Sequence, residues 1–141
     1  KQLSKKDLCL FISIQITAAI LGTIFANYIF GLSIVEISSN IRSGTNIYIS
    51  EIFASFGLLM VILLSKVGGK NIVAFYVGIY ITAAIIFTSS ASFANPAVSI
   101  ARIFTESFAG INPSTVIFFI GSQVIGMFGA YFLYNRLFKT K

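Results

Sequence analysis

Asp7, Glu36, Glu51 and Glu106 are the only acids and Cys9 the only thiol with which to build acid–base, metal or thiol chemistry, and the 141 residues include no histidine. They form no metal-ligand cluster, no nucleophile–base triad and no spaced carboxylate pair. The chain therefore reads as no enzyme and calls for no metal and no cofactor. Cys9 has no second cysteine to pair with and reads as a small apolar residue near the start of an apolar stretch. The informative chemistry lies in SSASFANPAVSIARIF, residues 89–104. A small-residue loop leads to a turn at Asn95, Pro96 and Ala97, and only two or three helical turns follow.

Pro96 lacks an amide hydrogen and its fixed φ suits the first helical position, so Asn95 reads as the cap of a helix over 95–104. At 1.5 Å per residue that helix measures roughly 13 Å, under half a bilayer. If the surroundings are lipid, loop 88–94 and the turn sit at membrane depth. Irregular backbone is tolerated there only where protein or a water-filled cavity satisfies it. The half-helix also aims its positive end at mid-membrane, where it repels protons and cations or attracts electron-rich groups. Asn112, Pro113 and Ser114 share the local form, but they open a full-length stretch and read as a plain cap.

The surroundings are indeed apolar. Hydrophobic residues make up 57 % of the chain and charged ones 10 %, with a mean hydropathy of +0.93. Residues 8–31, 47–64, 72–90 and 115–134 are each long enough for about 30 Å of hydrocarbon. The first stretch exceeds the usual core of about 7 to 15 residues in a signal peptide and reads as a spanning helix. The start at Lys1 rather than Met leads us to expect upstream sequence. Four crossings put both ends on one side. Lys1, Lys5, Lys6, Lys66, Lys70, Arg136, Lys139 and Lys141 then share that side, with Arg42 and Arg102 opposite. By the positive-inside rule both termini are cytoplasmic. The net charge of +6 is thus topological, and no nucleic-acid partner is expected.

FISIQITAAILGTIFA and FFIGSQVIGMFGAYFL align when Gln15 is laid on Gln123. Ala18 then meets Gly126 and Gly22 meets Ala130, giving each stretch a small-xxx-small step for close helix approach. The alternative is that Gly and Ala are simply common in membrane helices. A true repeat would make spans two to four, with the stretch around Asn95, one unit of a two-unit architecture, and the first span the end of an earlier unit.

The combination of Asn95-Pro96-Ala97, the stretch EIFASFGLL starting at Glu51, and Gln15 and Gln123 resembles the aquaporin and glycerol-facilitator family over essentially the whole chain. TSSASFANPAVSIARIFTESFAGI is similar to a bacterial branch associated with arsenic resistance. The resemblance implies an all-α membrane protein of four transmembrane helices and one re-entrant half-helix, equivalent to the third helix plus the second inverted repeat. It implies Asn95, Pro96 and Ala97 as pore motif, Ala83, Ser92 and Val98 as selectivity filter, and Glu51, Gln15 and Gln123 as scaffold. In the family the glutamate matching Glu51 accepts hydrogen bonds from backbone near the half-helix. Two departures stand out: a single Asn-Pro-Ala is present, and Val98 occupies the place that arginine takes in water-selective members. A filter without that guanidinium is wider and less polar, which suits neutral solutes larger than water.

The reading is therefore part of a channel for passive passage of water, glycerol and undissociated arsenous acid through a bacterial plasma membrane. Its partners would be the lipid bilayer, the solute and a missing first half, supplied by the same gene, a separate chain or a second copy, with homo-oligomers when complete. The competing reading is a truncated non-conducting membrane protein or structural subunit. An energised transporter is disfavoured because Glu51 alone places a charge within a span.

Overall fold

The computed structural model describes residues 4–66 and 69–138, so Lys1, Lys139 and Lys141 lie outside the described residues, as does part of the loop between Lys66 and Lys70. The described residues form α1 Lys5–Ile29, α2 Thr45–Ser65, α3 Lys70–Phe87, α4 Pro96–Ala101 and α5 Pro113–Phe138, with a 3-10 turn over Arg102–Phe104 extending α4. They include no strand, and the all-α class implied by the family resemblance is what they adopt.

Helices α1, α2 and α5, of 25, 21 and 26 residues, are long and apolar enough to cross a membrane. Their large side chains face outward, as Phe25 at 64 %, Phe53 at 66 % and Phe132 at 74 % exposure illustrate. Such surfaces suit a hydrocarbon solvent, and in water they would be aggregation sites. Helix α3 is shorter, 18 residues, and stops before Ser90, where the apolar stretch ends. The cause is Thr88, whose backbone turns extended (φ −104°, ψ 136°). Its amide and hydroxyl both donate to the Ala84 carbonyl, at 3.0 and 2.6 Å.

The chain divides into two compact units. The first comprises Lys1–Ile41 and Pro96–Val116. In it α1 packs on α4. Buried Asn27, near the end of α1, donates through Nδ2 to the carbonyls of Ile34 (3.1 Å) and Phe104 (2.9 Å). Backbone bonds from Ser38 to Ile103 (2.8 Å) and from Asn112 to Asn40 (2.8 Å) lay the loop after α1 along the segment after α4. Gly110 permits that approach, since a Cβ there would strike Ser38 Oγ and the Thr105 carbonyl.

The second unit comprises Arg42–Asn95 and Ile117–Lys141. Here α5 meets α2 at Gly126, where a Cβ would run into the Ile52 carbonyl, and Ala130 one turn on is fully buried. Without a hydrophobic drive in lipid, this backbone contact is what a small residue contributes to helix association. Helix α3 meets α2 through Tyr80, whose hydroxyl donates to the Ala54 carbonyl at 2.9 Å. The ring fits because residue 57 is glycine.

Candidate functional site

Between α3 and α4 the chain runs through residues 88–95 with no regular secondary structure, yet Ser90, Ser92, Phe93 and Ala94 are buried. Ala91, Ser92 and Ala94 take left-handed φ values of 60°, 45° and 48°, without glycine to ease them. Each costs on the order of 1 kcal/mol or more, so the loop persists only where its surroundings hold it.

Glu51 supplies that hold. It is fully buried in the first two turns of α2. Its Oε1 accepts from the Ala94 amide at 2.5 Å and its Oε2 from the Phe93 amide at 3.3 Å. Gln123 of α5, also fully buried, donates through Nε2 to Oε1 at 2.8 Å. A buried acidic group is tolerable when donors satisfy it, and here they fix two consecutive amides of the loop. Ser90 Oγ accepts from the Ser92 amide at 3.3 Å. The Ser92 hydroxyl is buried and has no hydrogen-bond partner among the described residues.

Asn95 closes the second unit and Pro96 opens the first. Ala97 is buried, while Asn95 and Val98 are half-buried. Val98 lines a cavity of about 550 Å³ within the first unit, shared with Gly22, Thr23 and Asn27 of α1 and with Ala101 and Arg102. Ala83 lies in the other unit on an exposed face of α3, in a groove with Gly78 and Thr82. Gln15 is exposed on α1, so the two aligned glutamines stand in unlike surroundings. The small-xxx-small steps differ likewise: Gly126 is pressed against α2, whereas nothing lies within 4 Å of a Cβ built at Gly22.

Two residues escaped the sequence reading. Asn27, a polar side chain in the last turns of an apolar helix, carried a signal that was passed over. Arg42 read only as a charge on the minority side; it proves to reach loop 88–95, its Nη1 donating to the Ser90 carbonyl at 3.4 Å. Glu106 accepts from Ser39 N and Oγ, at 2.6 and 2.7 Å. Asn112 is a cap in fact: its Oδ1 accepts from Ser114 N at 3.0 Å at the start of α5.

No protein-family model and no solved structure matches the chain. Among curated proteins it is 39 % identical, over 125 residues, to the aquaglyceroporin AqpS of Rhizobium meliloti (strain 1021). The match covers 89 % of this chain and 54 % of the relative, so the chain spans about half the length of the protein it matches. The family resemblance carried by Asn95-Pro96-Ala97, the stretch at Glu51, and Gln15 and Gln123 is thus borne out over those 125 residues, where the chain is homologous to an aquaglyceroporin of the aquaporin family.

Proposed function

We propose that the chain forms part of an aquaporin-like channel through which small uncharged solutes cross a bacterial plasma membrane passively. The observation that carries this reading is the loop 88–95: buried, left-handed at three residues, anchored on Glu51, and followed by a helix only six residues long before its 3-10 turn. Buried irregular backbone beside membrane-length apolar helices suits a conduit, where solute replaces water at exposed carbonyls and hydroxyls. Asn95 would offer its side chain to the solute, with Ser92 and Ala83 as further filter positions. An uncharged, branched Val98 in place of arginine supports a wide constriction; its cavity is lined by small residues such as Gly22 and Ala101 and also by Phe30, Phe108 and Arg102. That favours glycerol and undissociated arsenous acid alongside water.

Conduction would need a first half, from the same polypeptide, a separate chain or a second copy, and the complete channel would be a homo-oligomer. A non-conducting membrane subunit is the competing reading. The test is the swelling of vesicles carrying the chain together with a complementary first half, for water and for glycerol. Glycerol flux above that of empty vesicles is expected. Val98→Arg should then cut glycerol flux at least tenfold more than water flux, because a long cation narrows the opening and adds donors that mimic the partners of water. An equal fall in both would indicate misfolding around a buried charge. No flux from the wild-type pair would favour the non-conducting subunit.

A further inference from the structure

We propose that Arg42 is a positioning residue for loop 88–95, holding it through the Ser90 carbonyl and the Phe93 ring while Glu51 holds the amides of Phe93 and Ala94. The two anchors take complementary parts of the same loop. Glu51 accepts from N–H groups at 93 and 94, and Arg42 donates to a carbonyl at 90. Between them lie left-handed Ala91 and Ser92, which gain nothing from local preference and depend on restraint at both ends.

The guanidinium also stands over the Phe93 ring, 5.1 Å from its centroid. That ring in turn meets Phe119 of α5 at 5.1 Å between centroids. Phe93 is thus held by a cation and by a second ring, with its own amide bound to Glu51. A planar guanidinium can stack on a ring while its edge donates to a carbonyl, and an ammonium cannot do both. Burial opposes the charge on Arg42 and the nearness of Glu51 favours it, so the acid that anchors the loop also steadies the second anchor. Arg42 sits three residues before α2, in the connection from α1. The conformation of that connection therefore bears on loop 88–95. On the channel reading above, and only on that reading, solute selectivity then depends on a side chain from outside the spanning helices.

Hydrogen exchange of the amides of residues 93 and 94, in lipid nanodiscs, tests the assignment without requiring conduction. Arg42→Ala should speed their exchange by about tenfold or more, as expected when a restrained loop gains a local opening. Arg42→Lys, which keeps the charge and loses the stacking, should recover only part of the protection. Phe93→Leu should act in the same direction, and the double variant should fall short of the sum of the two, since the Arg42–Phe93 contact is lost in both while the Ser90 bond and the Phe119 contact are each lost in one. Unchanged exchange in Arg42→Ala, full recovery by lysine, or simple additivity with Phe93→Leu would overturn the proposal. Should Arg42→Ala fail to assemble, the Arg42→Lys and Phe93→Leu variants carry the same comparison. In vesicles with a first half, Arg42→Lys should change the glycerol-to-water flux ratio at unchanged protein content. Exchange effects without any wild-type flux would count against the channel reading and leave the role of Arg42 standing.

Discussion

Glu51 meets three N–H donors with two carboxyl oxygens, so its chemistry is that of an acceptor at both ends. Glutamine has nearly the same shape but presents an amide NH₂ where one oxygen stood. In Glu51→Gln that group faces a backbone N–H or the Gln123 amide, leaving buried donors opposed. The expected loss is about 1–3 kcal/mol, the cost of an unsatisfied buried polar group, concentrated in loop 88–95. Thermal unfolding in detergent should fall accordingly, with faster exchange at residues 93 and 94. Unaltered stability would mean that the loop is held without the carboxyl group.

At the scale of elements, α5 offers a paired test. Glycine in a helix is worth roughly 0.5–1 kcal/mol less than alanine, so Gly→Ala should stabilise wherever there is room. Gly121 has room, since nothing lies within 4 Å of its Cβ position. At Gly126 the same methyl strikes the Ile52 carbonyl. Gly121→Ala should therefore raise the melting temperature, and Gly126→Ala should lower it by an overpacking cost of about 1–3 kcal/mol. Effects of the same sign would remove close packing of α5 on α2 as the reason for glycine at 126. The segment after α4 offers a pH test. Hydrogen bonds from the Ser39 side chain and then its backbone hold the exposed Glu106 carboxyl below its ordinary value of 4.5. A depressed carboxyl contributes above its unfolded value and ceases to contribute as pH falls through its lower folded one. The Ser39 amide resonance should therefore shift only below about pH 4.5, and Glu106→Gln should flatten that titration.

For the whole molecule, the chain is a multi-pass membrane protein. Lys5, Lys6, Lys66 and Arg136 are all exposed, as charges in aqueous or headgroup surroundings must be. By the positive-inside rule we expect four crossings, with these residues on the cytoplasmic side and residues 36–45 and 102–112 outside. In a Cys9→Ser background, Ser107→Cys should react with an impermeant thiol reagent in intact cells. Lys66→Cys should react only after permeabilisation. The reverse pattern would overturn the orientation, and labelling of both from outside would mean an even number of crossings between them.

Membrane character and the all-helical class were legible in the sequence, because a hydrocarbon solvent demands long runs of apolar residues and satisfies no backbone polar group, leaving helices as the local solution. The abrupt start of α4 was legible too, since proline restricts its own φ whatever surrounds it. Tertiary structure decided what distinguishes residues of one type. Gln15 and Gln123 align in similar strings, yet Gln123 is buried on Glu51 and Gln15 is exposed on α1. Gly22 and Gly126 occupy like steps, yet one lines a cavity and the other touches backbone. Arg42 looked like a solvated loop charge and lies against Phe93. Helix formation is set by the chain's own dihedrals and the surrounding solvent, within a few residues. Burial, partners and held strain are set by residues tens of positions away, as the span from Glu51 to Phe93 and Gln123 shows, and periodicity along one segment carries no record of them.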